Sequence, residues 1–197
     1  IQKYYRKDSV IINPPVDLPA VGATLAGAHN KGFYLTGGRL ARAKRYDIAI
    51  EACNKLKLPL KVFGRDFAGS EAELKSLSGP TIEFLGEITQ SEKAKLFASA
   101  SGYFFCSDNE DFGIVSVEAQ GYGCPVIGYA SGGIKETVVD GKTGVLFNDL
   151  TVDSCVSAIR KVGALLAKAQ TRKACIANAQ QFSKEKFVAK IKKLLVS

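Results

Sequence analysis

"GYFFCSDNEDFGIVSVEAQGYGCPVIGY", residues 102–129, holds an apolar run, a polar loop, a helix-forming run and a second apolar run opened by Pro125. Apolar runs this short, bounded by turn residues and joined through a helical stretch, predict two buried parallel strands with a crossover helix between them. The same rhythm continues outward in both directions. Upstream, "FYLTGG", "LPLKVFG" and "TIEFLG" read as strands. "KRYDIAIEACNKLK", "SEAELKSL" and "TQSEKAKLFASA" between them read as helices, the last opened by a capping box from Thr89 to Glu92. Downstream come "GGIKETVVD", a short helix, and "TGVLF", a strand; beyond Asp149 only helical patterning remains. The expected fold is α/β: a Rossmann-like parallel sheet of about six strands with helices on both faces, followed by C-terminal helices. The expected organisation is an extended lead-in over 1–32, a nucleotide-binding unit over 33–168 and C-terminal helices over 169–197.

Ligands of such sheets bind outside the carboxyl ends of the strands, so the residues just after each strand matter most. After the first strand, "TGGRLARAK" offers glycines, then Arg39 and Lys44 across an expected helix start. Gly38 lets the backbone approach a ligand closely, and an arginine with a nearby lysine can neutralise a diphosphate. The spacing fits neither G-x-G-x-x-G nor G-x-x-x-x-G-K-[ST]. After the fourth strand, "EDFGIVSVE" sets Glu110 and Glu118 eight residues apart around Gly113. Glu110 is expected in the loop and Glu118 just over one turn inside the helix, both facing the strand-end crevice. N–H groups around Phe112, Gly113 and Ile114 stand open to an anion. On periodicity alone the two glutamates read equally as a solvated helix face and a dipole-favouring charge. The embedded D-F-G lacks the V-A-I-K and H-R-D motifs of kinases.

Composition narrows the classes. At 197 residues, with 46% hydrophobic and 23% charged residues, the chain has the make-up of a globular domain. No apolar run reaches the ~18 residues of a membrane span. Five scattered cysteines without a C-x-x-C spacing predict reduced, buried thiols and a cytoplasmic setting. A single histidine, His29, argues against a zinc site or a Ser-His-Asp triad. The net charge, 27 − 19 = +8, suits a polyanionic partner, and "SKEKFVAKIKK" alone carries five lysines. Nothing beyond charge suggests nucleic acid, since a stacking-aromatic motif is missing. The opening on Ile1 and the lack of methionine predict a piece of a longer protein.

Taken in order, "IINPPVD", "GGRLARAKRYDIAIEA" and "EDFGIVSVEAQGYGCPVIGYASGGIKETVVDGKTG" resemble the donor-binding half of a family 4 retaining glycosyltransferase of GT-B architecture. Glu110 and Glu118 match its E-x7-E signature; Arg39, Leu40 and Lys44 match its R-L-x-x-x-K. The opening and the first helix are similar to mannosyltransferases, which makes GDP-mannose the expected donor. The resemblance implies that Arg39 and Lys44 hold the diphosphate and that Glu110 contacts the sugar beside its anomeric carbon. It further implies that Glu118 takes the ribose hydroxyls and that Phe112, Gly113 and Ile114 offer N–H groups. The loops at Gly64-Arg65 and Glu87-Ile88 flank the base.

The family's acceptor domain has no counterpart here, so the resemblance implies a saccharide or lipid-linked acceptor held by a separate N-terminal domain. The isolated chain is then inactive. The tail from Phe182, with Phe187, Ile191, Leu194 and Leu195 at helical spacing, is the candidate for crossing back to that domain. No metal or other cofactor is expected, and peripheral contact with the inner face of a membrane is left open. A glycoside hydrolase would place its two carboxylates on opposite sides of a sugar, which one local segment cannot do. A non-catalytic nucleotide-sugar-binding module and a nucleotide-sugar epimerase on the same fold remain as alternatives.

Overall fold

Every apolar run named above becomes a strand of one sheet in the computed structural model, which describes residues 4, 6, 9–19, 32–168 and 170–196. The strands are β1 (Tyr34–Leu40), β2 (Leu60–Asp66), β3 (Ile82–Gly86), β4 (Gly102–Phe105), β5 (Val126–Tyr129) and β6 (Gly144–Phe147). The helices between them are α1 (Tyr46–Leu56), α2 (Ser70–Ser76), α3 (Gln90–Ser99), α4 (Ile114–Gly121) and α5 (Ile134–Thr137). After β6 come α6 (Val152–Leu166), α7 (Thr171–Ala179), a 3-10 turn at Gln180–Phe182 and α8 (Lys184–Val196).

All strand pairs are parallel, in the order β3-β2-β1-β4-β5-β6. Successive residues of a strand face opposite sides, so one strand feeds two cores. Tyr34, Leu60, Val62 and Phe104 pack with α1 and α6 on one side. Leu35, Phe63, Tyr103 and Phe105 pack with Phe97 of α3, Ala119 of α4 and Ile134 of α5 on the other. The order reverses between β1 and β4, and there the first crossovers leave in opposite directions and open a crevice at the strand ends.

Two expectations change in detail. β1 runs on through Arg39 to Leu40, and a 3-10 turn at Arg42–Lys44 intervenes before α1. Arg45 sits between turn and helix in the left-handed region, with φ 50° and ψ 43°, which breaks the two apart. Arg39 and Lys44 therefore do not span one α-helix start: Arg39 ends a strand and Lys44 ends a tight turn. Within the lead-in, the stretch around Val16 is docked rather than free. Val16 is buried, forms a parallel bridge with Ser183, and its N–H donates to the Phe182 carbonyl at 2.9 Å. Val16, Phe112, Val117 and Ala179 form a small third core with Leu18 and Phe182 against it. The Gly/Ala-rich stretch 20–31, with His29, lies outside the described residues.

α7 lies along α4. α8 buries none of its residues, and Leu195 is 80% exposed. Among the described residues no helix is long and apolar enough to cross a membrane. All five cysteines are free and buried.

Candidate functional site

The crevice at the β1–β4 reversal is a cavity of about 610 Å³, walled by Gly38, Arg39, Lys44, Glu110 and the Phe112–Ile114 turn, with Pro14 of the lead-in closing one side. Its floor is backbone held by two phenols. The Tyr103 hydroxyl donates to the Gly37 carbonyl at 2.8 Å, and the Tyr46 hydroxyl to the Arg39 carbonyl at 3.3 Å. Burial is the main cause that pushes both phenols well above their ordinary range, so both stay neutral hydrogen-bond donors.

Lys44 and Glu110 meet across this cavity as an ion pair, although they come from the loops after β1 and β4. Glu110 Oε2 also accepts from Ser107 Oγ at 3.1 Å. The two side chains are only 23% and 28% exposed, so the pair is partly shielded from water. Arg39 is exposed, and its guanidinium carbon lies 5.2 Å from the centre of the Phe67 ring. That cation–π contact leaves it at the rim.

The loop carrying Glu110 is fixed from the β5 side. Gly133 N–H donates to the Glu110 carbonyl at 2.8 Å, Ser131 Oγ donates to Asp108 at 2.7 Å, and Asn109 N–H donates to Ser131 Oγ at 3.2 Å. Gly132 has φ +66°, and a Cβ there would lie 2.3 Å from the Glu110 carbonyl oxygen. Only glycine fits against this loop. At the loop's far end Gly113 turns into α4 with φ +78°. Ser116 Oγ donates back to its carbonyl at 2.7 Å. Ile114 and Val115, whose N–H groups open α4 with no helix carbonyl in reach, line the cavity, while Ser116 N–H donates to the Gly113 carbonyl at 2.9 Å.

A second hollow of about 180 Å³ shares Gly38 with the first and is lined by Gly64, Arg65, Glu87, Ile88 and Lys93. The structure thus brings the two loops expected to flank a base to one place, next to the expected diphosphate site. Glu118 behaves differently from Glu110. It lines neither cavity, and both of its oxygens accept from Lys93 Nζ, at 3.0 and 2.9 Å. Sequence reasoning missed Lys93, Ser107, Tyr46, Tyr103 and Pro14. Each acts through a contact between elements distant in sequence, and no local pattern marks it.

Residues 25–182 match the family model described as "Glycosyl transferases group 1". A sulfoquinovosyl transferase of Arabidopsis thaliana is 29% identical over 164 residues, covering 82% of this chain and 31% of that protein. A D-inositol 3-phosphate glycosyltransferase of Mycobacterium leprae is 32% identical over 158 residues, covering 74% and 37%. Among solved structures, the sucrose-phosphate synthase of Thermosynechococcus elongatus aligns with a TM-score of 0.74 at 24% identity, over 84% of this chain and 45% of that one. Anabaena HepE in complex with UDP-glucose aligns with a TM-score of 0.73 at 24% identity, over 84% and 49%. The chain spans about a third of the length of these two relatives and under half of each of these two structures.

Proposed function

Because the chain belongs to the group 1 glycosyl transferases, we propose that it is the donor-binding half of a retaining hexosyltransferase. One observation carries the reading: the cavity at the β1–β4 reversal brings Arg39, Lys44, Glu110 and the α4 first turn together, and it shares Gly38 with the hollow of Gly64, Arg65 and Ile88. A nucleoside diphosphate sugar fits this layout end to end. In this reading Lys44 and Arg39 hold the diphosphate, and the Phe112–Ile114 N–H groups take sugar and phosphate oxygens. Glu110 stands beside the anomeric carbon, Glu118 serves the ribose, and the small hollow takes the base. Charge develops on the departing diphosphate as the sugar leaves, so fixed cations and open N–H groups aimed there lower the barrier. Those cations make a divalent metal unnecessary in this scheme.

The relatives reported above bear names other than mannosyltransferase, and HepE was crystallised with UDP-glucose. A uridine diphosphate hexose therefore joins GDP-mannose as a donor to test. The acceptor, saccharide or lipid-linked, is assigned to a separate N-terminal domain, because transfer needs an acceptor oxygen held ~3–3.5 Å from the anomeric carbon. The unit over 33–168 carries the donor, with Val16, Leu18 and α7 packed against it.

Calorimetry of the chain against UDP, GDP and their hexose conjugates tests the reading, with mass spectrometry of the same mixtures plus acceptors. The expected outcome is nucleotide binding that survives EDTA, without sugar transfer. Binding that EDTA abolishes and Mg²⁺ restores would make Asp108 or Asp111 a metal ligand. Robust transfer by these 197 residues would overturn the assignment of the acceptor to another domain.

A further inference from the structure

The acid expected to serve the ribose is not presented alone. Glu118 stands on α4, and Lys93, on α3, reaches across to grip both of its oxygens. The two side chains are 16% and 17% exposed, the most shielded of the ion pairs found among the described residues. Lys93 is well anchored. It follows the Thr89–Glu92 capping box, and its own N–H donates to the Thr89 carbonyl at 2.9 Å.

Lys93, not Glu118, forms part of the wall of the small hollow. An ammonium has three donors and a carboxylate about four lone-pair sites. Two N–H···O contacts leave one donor on Lys93 and two acceptor sites on Glu118. A sugar hydroxyl is donor and acceptor at once, so an adjacent lysine and glutamate are its complement. A lone glutamate in this shielded place would carry an unbalanced charge beside an incoming diphosphate.

We propose that Lys93 is a specificity-determining partner of Glu118, and that the pair reads the ribose hydroxyls of the donor nucleotide as one unit. The inference rests on the donor-binding reading above. Lys93 supplies a hydrogen bond to a ribose oxygen and holds Glu118 where it accepts from a ribose hydroxyl.

The test is calorimetry with UDP and GDP, their 2′,3′-dideoxy counterparts, and inorganic pyrophosphate. Wild type is expected to favour the ribonucleotides about tenfold, the scale of a hydrogen bond to a charged group. Lys93→Met should bring that preference below about twofold, near what loss of the same bond leaves, and pyrophosphate, which has no ribose, reports separately what the uncompensated Glu118 charge costs. Lys93→Arg, which keeps a charged donor, should recover part of the preference, as a merely structural role would not require. If Lys93→Met fails to fold, Lys93→Gln takes its place with the same expected loss. A variant that weakens ribo- and dideoxynucleotides equally overturns the inference and assigns Lys93 to the base. Wild type that binds nucleotides without preferring ribose overturns it too, while leaving the donor site standing. Wild type that binds neither UDP nor GDP removes the donor-binding reading itself, and the inference with it.

Discussion

Lys44–Glu110 joins two loops across the wide cavity, whereas Lys93–Glu118 joins two helices beside the narrow one. Each acid of the eight-residue spacing thus has its own lysine, delivered by a different crossover. The consequences differ. Loops at a strand end can exchange partners at small cost, while a shielded pair between two helices that share a buried core is held more firmly. Lys44 is ion-paired in the ligand-free chain, so in the proposed reading a diphosphate draws it away from Glu110. Lys93 faces no such exchange. The loop pair is built to open, and the helix pair to stay shut.

The largest expected effect follows from that contrast. Lys44→Ala removes a cation and also leaves the Glu110 charge without its lysine in the part-shielded cavity proposed for the diphosphate. Nucleoside diphosphate affinity should fall by about 3 kcal/mol, the upper end for a hydrogen bond to a charged group. Arg39→Ala should cost about 1.5 kcal/mol, the lower end, because Arg39 sits exposed at the rim against Phe67. Calorimetry with UDP and GDP checks both. Equal losses would break the distinction between the paired and the rim cation, and no loss in either variant would remove the diphosphate site.

A step down in size is the support of the Glu110 loop. Gly132→Ala places a methyl group 2.3 Å from the Glu110 carbonyl oxygen, at φ +66°. Both strain terms point the same way, and unfolding free energy should drop by about 2 kcal/mol. Denaturant melts measure the drop. Nucleotide affinity should fall with it, since the displaced loop carries Glu110 and leads into Gly113. Unchanged stability would mean that the β5 loop yields freely and does not fix the site.

How much of this was legible beforehand differs by scale. The strands and helices were, because short apolar runs bounded by Gly and Pro leave few alternatives, and the Thr89–Glu92 box appears as read. The spacing of Glu110 and Glu118 was legible too. Their partners were not: Lys44 read as a companion of Arg39 for a diphosphate, not of Glu110, and nothing local marks Lys93 until the sheet order brings the elements together. The break at Arg45 was hidden for another reason. A left-handed residue is expected at glycine or asparagine, and arginine gives no such signal. The docking of Val16 beside Ser183 joins nearly opposite ends of the chain, and only the assembled core shows it.

The smallest effect is expected where an ion pair lies open to water. Lys55 and Asp153 also link two elements, α1 and α6, with Nζ and Oδ1 2.5 Å apart. Yet they are 57% and 82% exposed, against 17% and 16% for Lys93 and Glu118. The hydrogen bond from Lys55, and then its charge, hold the Asp153 carboxyl below its usual range. A depressed carboxyl stabilises the fold above the unfolded pKa of about 3.9, and the contribution fades as pH falls through the folded value. Water and salt screen a pair this open, and holding two long side chains together costs entropy. Lys55→Ala should therefore leave the thermal midpoint unchanged within error at neutral pH and 150 mM salt, on the order of a Debye length of 8 Å. Lys93→Met under the same conditions should lower it, because Glu118 is then left charged and shielded without a partner. Differential scanning calorimetry of the two variants side by side decides the matter. If Lys55→Ala lowers the midpoint as much as Lys93→Met, burial is not what separates these pairs, and the argument that shielding holds the helix pair shut fails with it.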